Sequence, residues 1–128
     1  MTFGTMIAIG TGGFAGAVAR SWLNGVISHH FPHAVPVGTL GVNLIGSFIM
    51  GVLVAYFMYT TLFPLHVKSL LSTGFLGALT TYSTFAIETV MLLQGGQFGV
   101  AMANMALNTF GTVIMAGGGY WMASSVLR

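Results

Sequence analysis

The apolar positions fall into long runs broken by short polar or proline-bearing links. The runs cover about residues 3–27, 38–59, 66–93 and 98–127. Each is long enough as a helix to cross roughly 30 Å of hydrocarbon. His29-His30-Phe31-Pro32-His33-Ala34-Val35-Pro36 ends the first run, because its two prolines cannot continue a helix. Thr60-Thr61-Leu62-Phe63-Pro64-Leu65-His66 ends the second, with Lys68 marking the membrane edge. Gln94-Gly95-Gly96-Gln97 is the last link. The pattern predicts an all-α integral membrane protein with four transmembrane helices, forming one domain over residues 1–128.

The third run is too long for one upright span. From Leu65 to Leu93 a continuous helix would measure about 42 Å. Gly74 and Gly77 weaken it, and Thr80, Thr81, Ser83 and Thr84 offer hydroxyls to freed backbone groups. The helix is expected to break near residues 75–80. At membrane depth, loose N–H and C=O groups must meet protein, ions or a water-filled path. Freed carbonyls suit a cation, and a freed helix N-terminus suits an anion. The other reading is a kink relaxed by its own hydroxyls.

Composition sharpens the membrane assignment. Hydrophobic residues make up 55% of the chain and charged residues 3%, with a mean hydropathy of +0.93. A soluble domain carries about 25% charged residues. There is no cysteine, so disulfides and thiolate metal sites are excluded. The net charge of +2 rests on so few groups that the high pI says nothing about nucleic acid, and no nucleic-acid partner is expected. The first apolar run continues into a full span, so no cleaved signal is expected.

Several residues carry candidate chemistry. Gly12 and Gly16 form a GxxxG pair suited to close helix approach. Arg20 interrupts the first span; it snorkels, pairs or attracts anions. Asn43 and Ser47 share a face of the second span, where the amide serves either as interhelical glue or as a donor lining an anion path. In the third span Tyr82, Phe85 and Glu88 recur every three residues. Glu88 is the only acidic residue, and Arg20 is its natural partner. Asn104, Asn108 and Thr112 draw a polar stripe down the fourth span, lining a path or bonding between helices. The three loop histidines lack a carboxylate and helical spacing, and read as surface. Lys68 and Arg128 lie on the N-terminal side and Arg20 nearer the other, a weak bias compatible with insertion both ways. Four spans enclose little volume, so a conduction path calls for a second copy. Two oppositely inserted copies would pair about a two-fold axis in the membrane plane.

Two stretches together resemble the Fluc, or CrcB, family of fluoride channels. They are Gly38-Thr39-Leu40-Gly41-Val42-Asn43-Leu44-Ile45-Gly46-Ser47 and Thr73-Gly74-Phe75-Leu76-Gly77-Ala78-Leu79-Thr80-Thr81-Tyr82-Ser83-Thr84-Phe85. The glycine-rich first span ending in Arg20 fits as well. The resemblance implies an antiparallel, dual-topology homodimer with two fluoride pores, in the cell inner (plasma) membrane. It implies a structural sodium ion, Na+, at the dimer centre, bound by backbone carbonyls of Gly77 and Thr80 from each copy. The family's pore aromatics fall at Tyr82 and Phe85, its pore amide at Asn43 and its polar track at Asn108 and Thr112. Arg20, Ser83, Thr84 and Glu88 are assigned as anion-attracting or structural. Tyr82 departs from the usual Phe, and Ala116 stands where relatives often carry a hydroxyl.

The implied activity is passive. Fluoride is small and strongly hydrated, so donors such as Asn43, Thr112 and the Tyr82 hydroxyl must offset its dehydration. Positive ring edges add to this. Hydrogen fluoride crosses lipid neutral and ionises inside, so a passive channel suffices for export and no enzymatic step is needed. The main rival is a small dual-topology proton-coupled multidrug exporter, which wants a carboxylate in the first span; this span has none. A third reading is a non-conducting structural subunit, which the broken helix and polar stripe argue against.

Overall fold

The computed structural model describes all residues, Met1–Arg128, and is helical throughout apart from its links. Helix α1 spans Phe3–His30. Thr2 caps it by accepting from the Thr5 N–H at 3.1 Å. Helix α2 spans Val37–Tyr59 and follows directly on Pro36, whose fixed φ suits a helix start. It ends at Thr60, whose hydroxyl donates to the Tyr56 carbonyl at 2.7 Å.

The third run is a composite of four pieces. Helix α3 (Leu65–Lys68) widens into a π-helical segment at Ser69–Leu76, which narrows into α4 (Gly77–Leu79). Thr80 and Thr81 are extended, and α5 runs over Tyr82–Gln94. The weakness expected around Gly74 therefore takes the form of a widened turn, and the break itself lies at Thr80–Thr81. A widened turn needs carbonyls drawn off the ordinary ladder. The Ser72 hydroxyl donates to the Lys68 carbonyl at 2.6 Å, and the Gly77 N–H reaches back to the Ser72 carbonyl. Gly96, with φ of 77°, turns the chain into α6 (Phe98–Leu127), and a side chain there would be strained.

Helix α2 packs chiefly along α6, and α1 along the π-helical segment and α4. Glycines set both contacts. A Cβ at Gly51 would strike the Ala116 carbonyl, and one at Gly119 the Phe48 carbonyl. On the other side, Gly12 lies against the Leu70 carbonyl and Gly16 against the Phe75 carbonyl. The GxxxG pair thus seats α1 on the widened turn.

Only 23 of 128 residues are buried, and the apolar ones are few and mostly small, among them Ala8, Val42, Ala55, Leu76 and Ala101. Most large apolar side chains therefore point outward, as in a protein solvated by lipid. Helix α2, the composite Leu65–Gln94 and α6 are long and apolar enough to cross a membrane. Helix α1 is as long as these, but its glycines and Arg20 dilute its hydropathy.

A polar cavity at the helix break

The break is held open by a side chain from another helix. In an unbroken helix the Thr81 N–H would donate to the Gly77 carbonyl. Here it donates to Asn43 Oδ1 on α2, at 2.8 Å. The Asn43 amide completes the pairing by donating to the Thr81 carbonyl at 3.1 Å. The Thr84 N–H would likewise serve the Thr80 carbonyl, yet it donates to Thr81 Oγ1 at 3.3 Å, the N-cap of α5. Gly77 and Thr80 thus both lose their helical donors, for two separate reasons. Thr81 supplies three of the atoms involved. The sequence offered a signal for it, a hydroxyl three residues before Thr84 at a helix start, but its pairing with Asn43 spans 38 positions.

From Asn43 a buried chain of amides leads away. The second Asn43 hydrogen goes to Asn108 Oδ1 at 3.0 Å. Asn108 Nδ2 donates to Asn104 Oδ1 at 3.1 Å and to the Asn104 carbonyl at 2.9 Å. Asn104 Nδ2 donates to the Thr89 hydroxyl at 3.0 Å, which donates to the Phe85 carbonyl at 2.8 Å. The stripe on α6 is therefore bonded to both α2 and α5, and Thr89 is its partner on α5. Asn43 is therefore interhelical glue, and it also lines a cavity.

That cavity, of about 380 Å³, is lined by Asn43, Ser47, Thr80, Thr81, Tyr82, Phe85, Asn108, Thr109 and Thr112. It brings together the five residues expected to line a path. Tyr82 and Phe85 meet edge to face, with centroids 5.5 Å apart at 71°. Phe85 is buried, whereas Tyr82 is 81% exposed and open to one side. Two of the three expected donors are already engaged within the chain. Both Asn43 amide hydrogens are engaged, and the Thr112 hydroxyl donates to the Asn108 carbonyl at 2.6 Å. The hydroxyls of Ser47, Tyr82 and Thr109 make no hydrogen bond within the chain and are free to turn inward.

A second polar cavity, of about 410 Å³, is lined by Arg20, Ser21, Asn24, Gly25, Thr81 and Thr84, with no apolar side chain. Arg20 and Thr84 share it, and Thr81 borders both cavities. The expected pairing of Arg20 with Glu88 does not form: Glu88 Oε1 is buried without a partner, while Arg20 lines this cavity. Glu88 lines neither cavity, and Ser83 and Gly77 are exposed.

Two cavities thus share Thr81 at a broken helix, lined by amides, hydroxyls, two aromatic rings and one guanidinium-bearing side chain, with no carboxylate. A family model for CrcB-like protein, Camphor Resistance (CrcB), matches residues 7–120. The chain belongs to the CrcB family. Over 128 residues it is 62% identical to the fluoride-specific ion channel FluC of Sulfurimonas denitrificans, covering 100% of this chain and 99% of that protein. It is 40% identical over 128 residues to the protein of the same name from Nautilia profundicola, covering 100% of both. It is 46% identical over 121 residues to that of Cronobacter sakazakii, covering 94% of each.

Proposed function

We propose that the chain is a fluoride-selective ion channel that exports cytoplasmic fluoride passively across the cell inner membrane. It is a channel protein and not an enzyme. The observation that carries fluoride over other anions is the full-length match to relatives named for that ion. The cavity supports it chemically. The N-terminus of α5 opens onto the wall at Thr81 and Tyr82, with a partial positive charge suited to an anion. Free hydroxyls of Ser47, Tyr82 and Thr109 can replace water around a small anion, and Phe85 presents an aromatic wall. At Asn43 the anion would compete with Asn108 Oδ1 for an amide hydrogen already in place. The Arg20 cavity gathers anions on the other side of Thr81.

The test is efflux from liposomes holding only this protein. Fluoride is expected to leave without a proton gradient, chloride to stay, and Glu88→Gln to conduct. Efflux that needs a proton gradient and stops in Glu88→Gln would point to the proton-coupled multidrug exporter instead.

The working unit on this reading has four spans per chain and is an antiparallel homodimer. A Tyr82 that is 81% exposed beside a cavity open to one side leaves room for a wall from a second copy. Nearly balanced flanking charge lets the chain insert either way. Fusions of a reporter to the C-terminus should therefore give both cytoplasmic and external populations, and a single orientation would rule the antiparallel dimer out.

The break also fits a sodium ion at the dimer centre. Gly77 and Thr80 present carbonyls deprived of their helical donors, and main-chain oxygens suit a hard cation. Two copies would supply four such carbonyls. A bound sodium would add a fixed positive charge between the pores. Liposomes made with sodium replaced by a large organic cation are expected to lose flux; full flux there would remove sodium from the account.

A further inference from the structure

The amide chain has a direction, and the backbone of the break sets it. The Thr81 N–H can only donate and its C=O can only accept, so Asn43 has one orientation, with Oδ1 on the N–H and Nδ2 on the C=O. The remaining Asn43 hydrogen then requires an acceptor, which fixes Oδ1 of Asn108 toward it. Asn108 Nδ2 must face Asn104, so Asn104 Oδ1 accepts and Asn104 Nδ2 must donate onward. Thr89 receives that bond and passes its own hydrogen to the Phe85 carbonyl, which can only accept. Backbone groups thus terminate the chain at both ends, the Thr81 N–H and C=O at one and the Phe85 C=O at the other, while the Asn104 carbonyl steadies its middle by accepting from Asn108 Nδ2. Asn104 is 1% exposed and Thr89 7%, and neither lines a cavity, so water does not offer them substitutes.

We infer that Thr89 and Asn104 are positioning residues for the path: together with the Asn104 main-chain carbonyl they hold Asn108 with its Oδ1 on Asn43, and so keep the Asn43 amide aimed at Thr81 and the cavity. This rests on the fluoride-channel reading for its effect on flux, but not for its effect on the break. Without the Thr89 acceptor, Asn104 is free to turn over. Turned over, it sets a donor against Asn108 Nδ2 where Oδ1 had accepted; Asn108 keeps only its bond to the Asn104 carbonyl and is pushed from its place against Asn43. Asn43 is displaced from Thr81 in consequence, and the break loosens. A buried amide left unpartnered is the driving cost.

The test compares Thr89→Val, which keeps the shape and removes the hydroxyl, with Thr89→Ser, which keeps the hydroxyl. Fluoride efflux per dimer is expected to fall about tenfold in Thr89→Val and to stay within about twofold of the unaltered protein in Thr89→Ser. Asn104→Leu should match Thr89→Val. Hydrogen exchange at the Thr81 amide, read in the dimeric protein, gives a second measure that does not involve fluoride. It should quicken about tenfold in Thr89→Val and little in Thr89→Ser. Unchanged exchange at Thr81 in Thr89→Val would overturn the inference, as would equal losses in the valine and serine variants. If the unaltered protein does not pass fluoride, the channel reading fails while quickened exchange still upholds the positioning role.

Discussion

Asn43→Asp is expected to abolish fluoride flux while leaving the proposed dimer assembled, with a lower melting temperature. The substitution keeps the shape and removes the only hydrogens that serve the Thr81 carbonyl and Asn108 Oδ1. An ionised carboxylate would then oppose two acceptors at once in a buried position. It would also set a negative charge where the anion must shed water. At contact distance and an effective dielectric of 20 that repulsion is about 4 kcal/mol, or about a thousandfold in occupancy. Flux per dimer in liposomes and size-exclusion chromatography in mild detergent check the two halves of the expectation. Near-normal flux in a dimer would take Asn43 out of the path.

Gly77→Val should have the next largest effect, on assembly and not on the chain's own fold. Gly77 is helical, with φ −61° and ψ −33°, which a β-branched residue adopts without backbone strain. A Cβ there meets only the Ser72 carbonyl, at 3.5 Å, an ordinary contact. The residue is exposed, so the added methyls stand on the outer surface, where the second copy is proposed to cross. A two-fold axis doubles the intrusion, and overpacking costs about 1–3 kcal/mol at each site. The variant is expected to run as a folded monomer and to pass no fluoride. Gly16→Val offers the contrast, because its Cβ would strike the Phe75 carbonyl inside the chain and loosen α1. A Gly77→Val protein that remains dimeric and conducting would place the crossing elsewhere.

Helix limits were largely legible, and contacts were not. Pro36 and the Thr60 link bound α2, and Gly95-Gly96 set the turn into α6, because these residues act on their own backbone. The hydroxyl-rich run located the break for the same reason: Thr81 caps a helix that starts one residue later. Thinning near Gly74 was legible as weakness but not as a π-helical segment, since its form depends on how α1 seats against it. Polar residues in apolar runs announced that they need partners. They did not say which. Asn43 found Thr81 and Asn108, far away in sequence, and Thr89 was not singled out because one threonine near a helix middle is usually bonded to its own turn, as it is here. Arg20 and Glu88 show the limit most plainly. Opposite charges alone in an apolar chain suggested a pair, yet the fold gives Arg20 a polar cavity and leaves Glu88 apart.

Thr81 borders both cavities, and this has an electrical consequence. A membrane voltage does not fall evenly across a protein; it falls across the low-dielectric material, most steeply where that is thinnest. On the channel reading, cavities that meet at Thr81 and open to opposite solutions would carry the potential of those solutions inward and leave little material between them. The field would be focused there. An anion crossing there would feel most of the roughly 2.3 kcal/mol per 100 mV in a single short step. The rate of that step, and little else along the route, would then scale with voltage, and the residue that breaks the helix would also be the place where the cell's potential does its work on the ion.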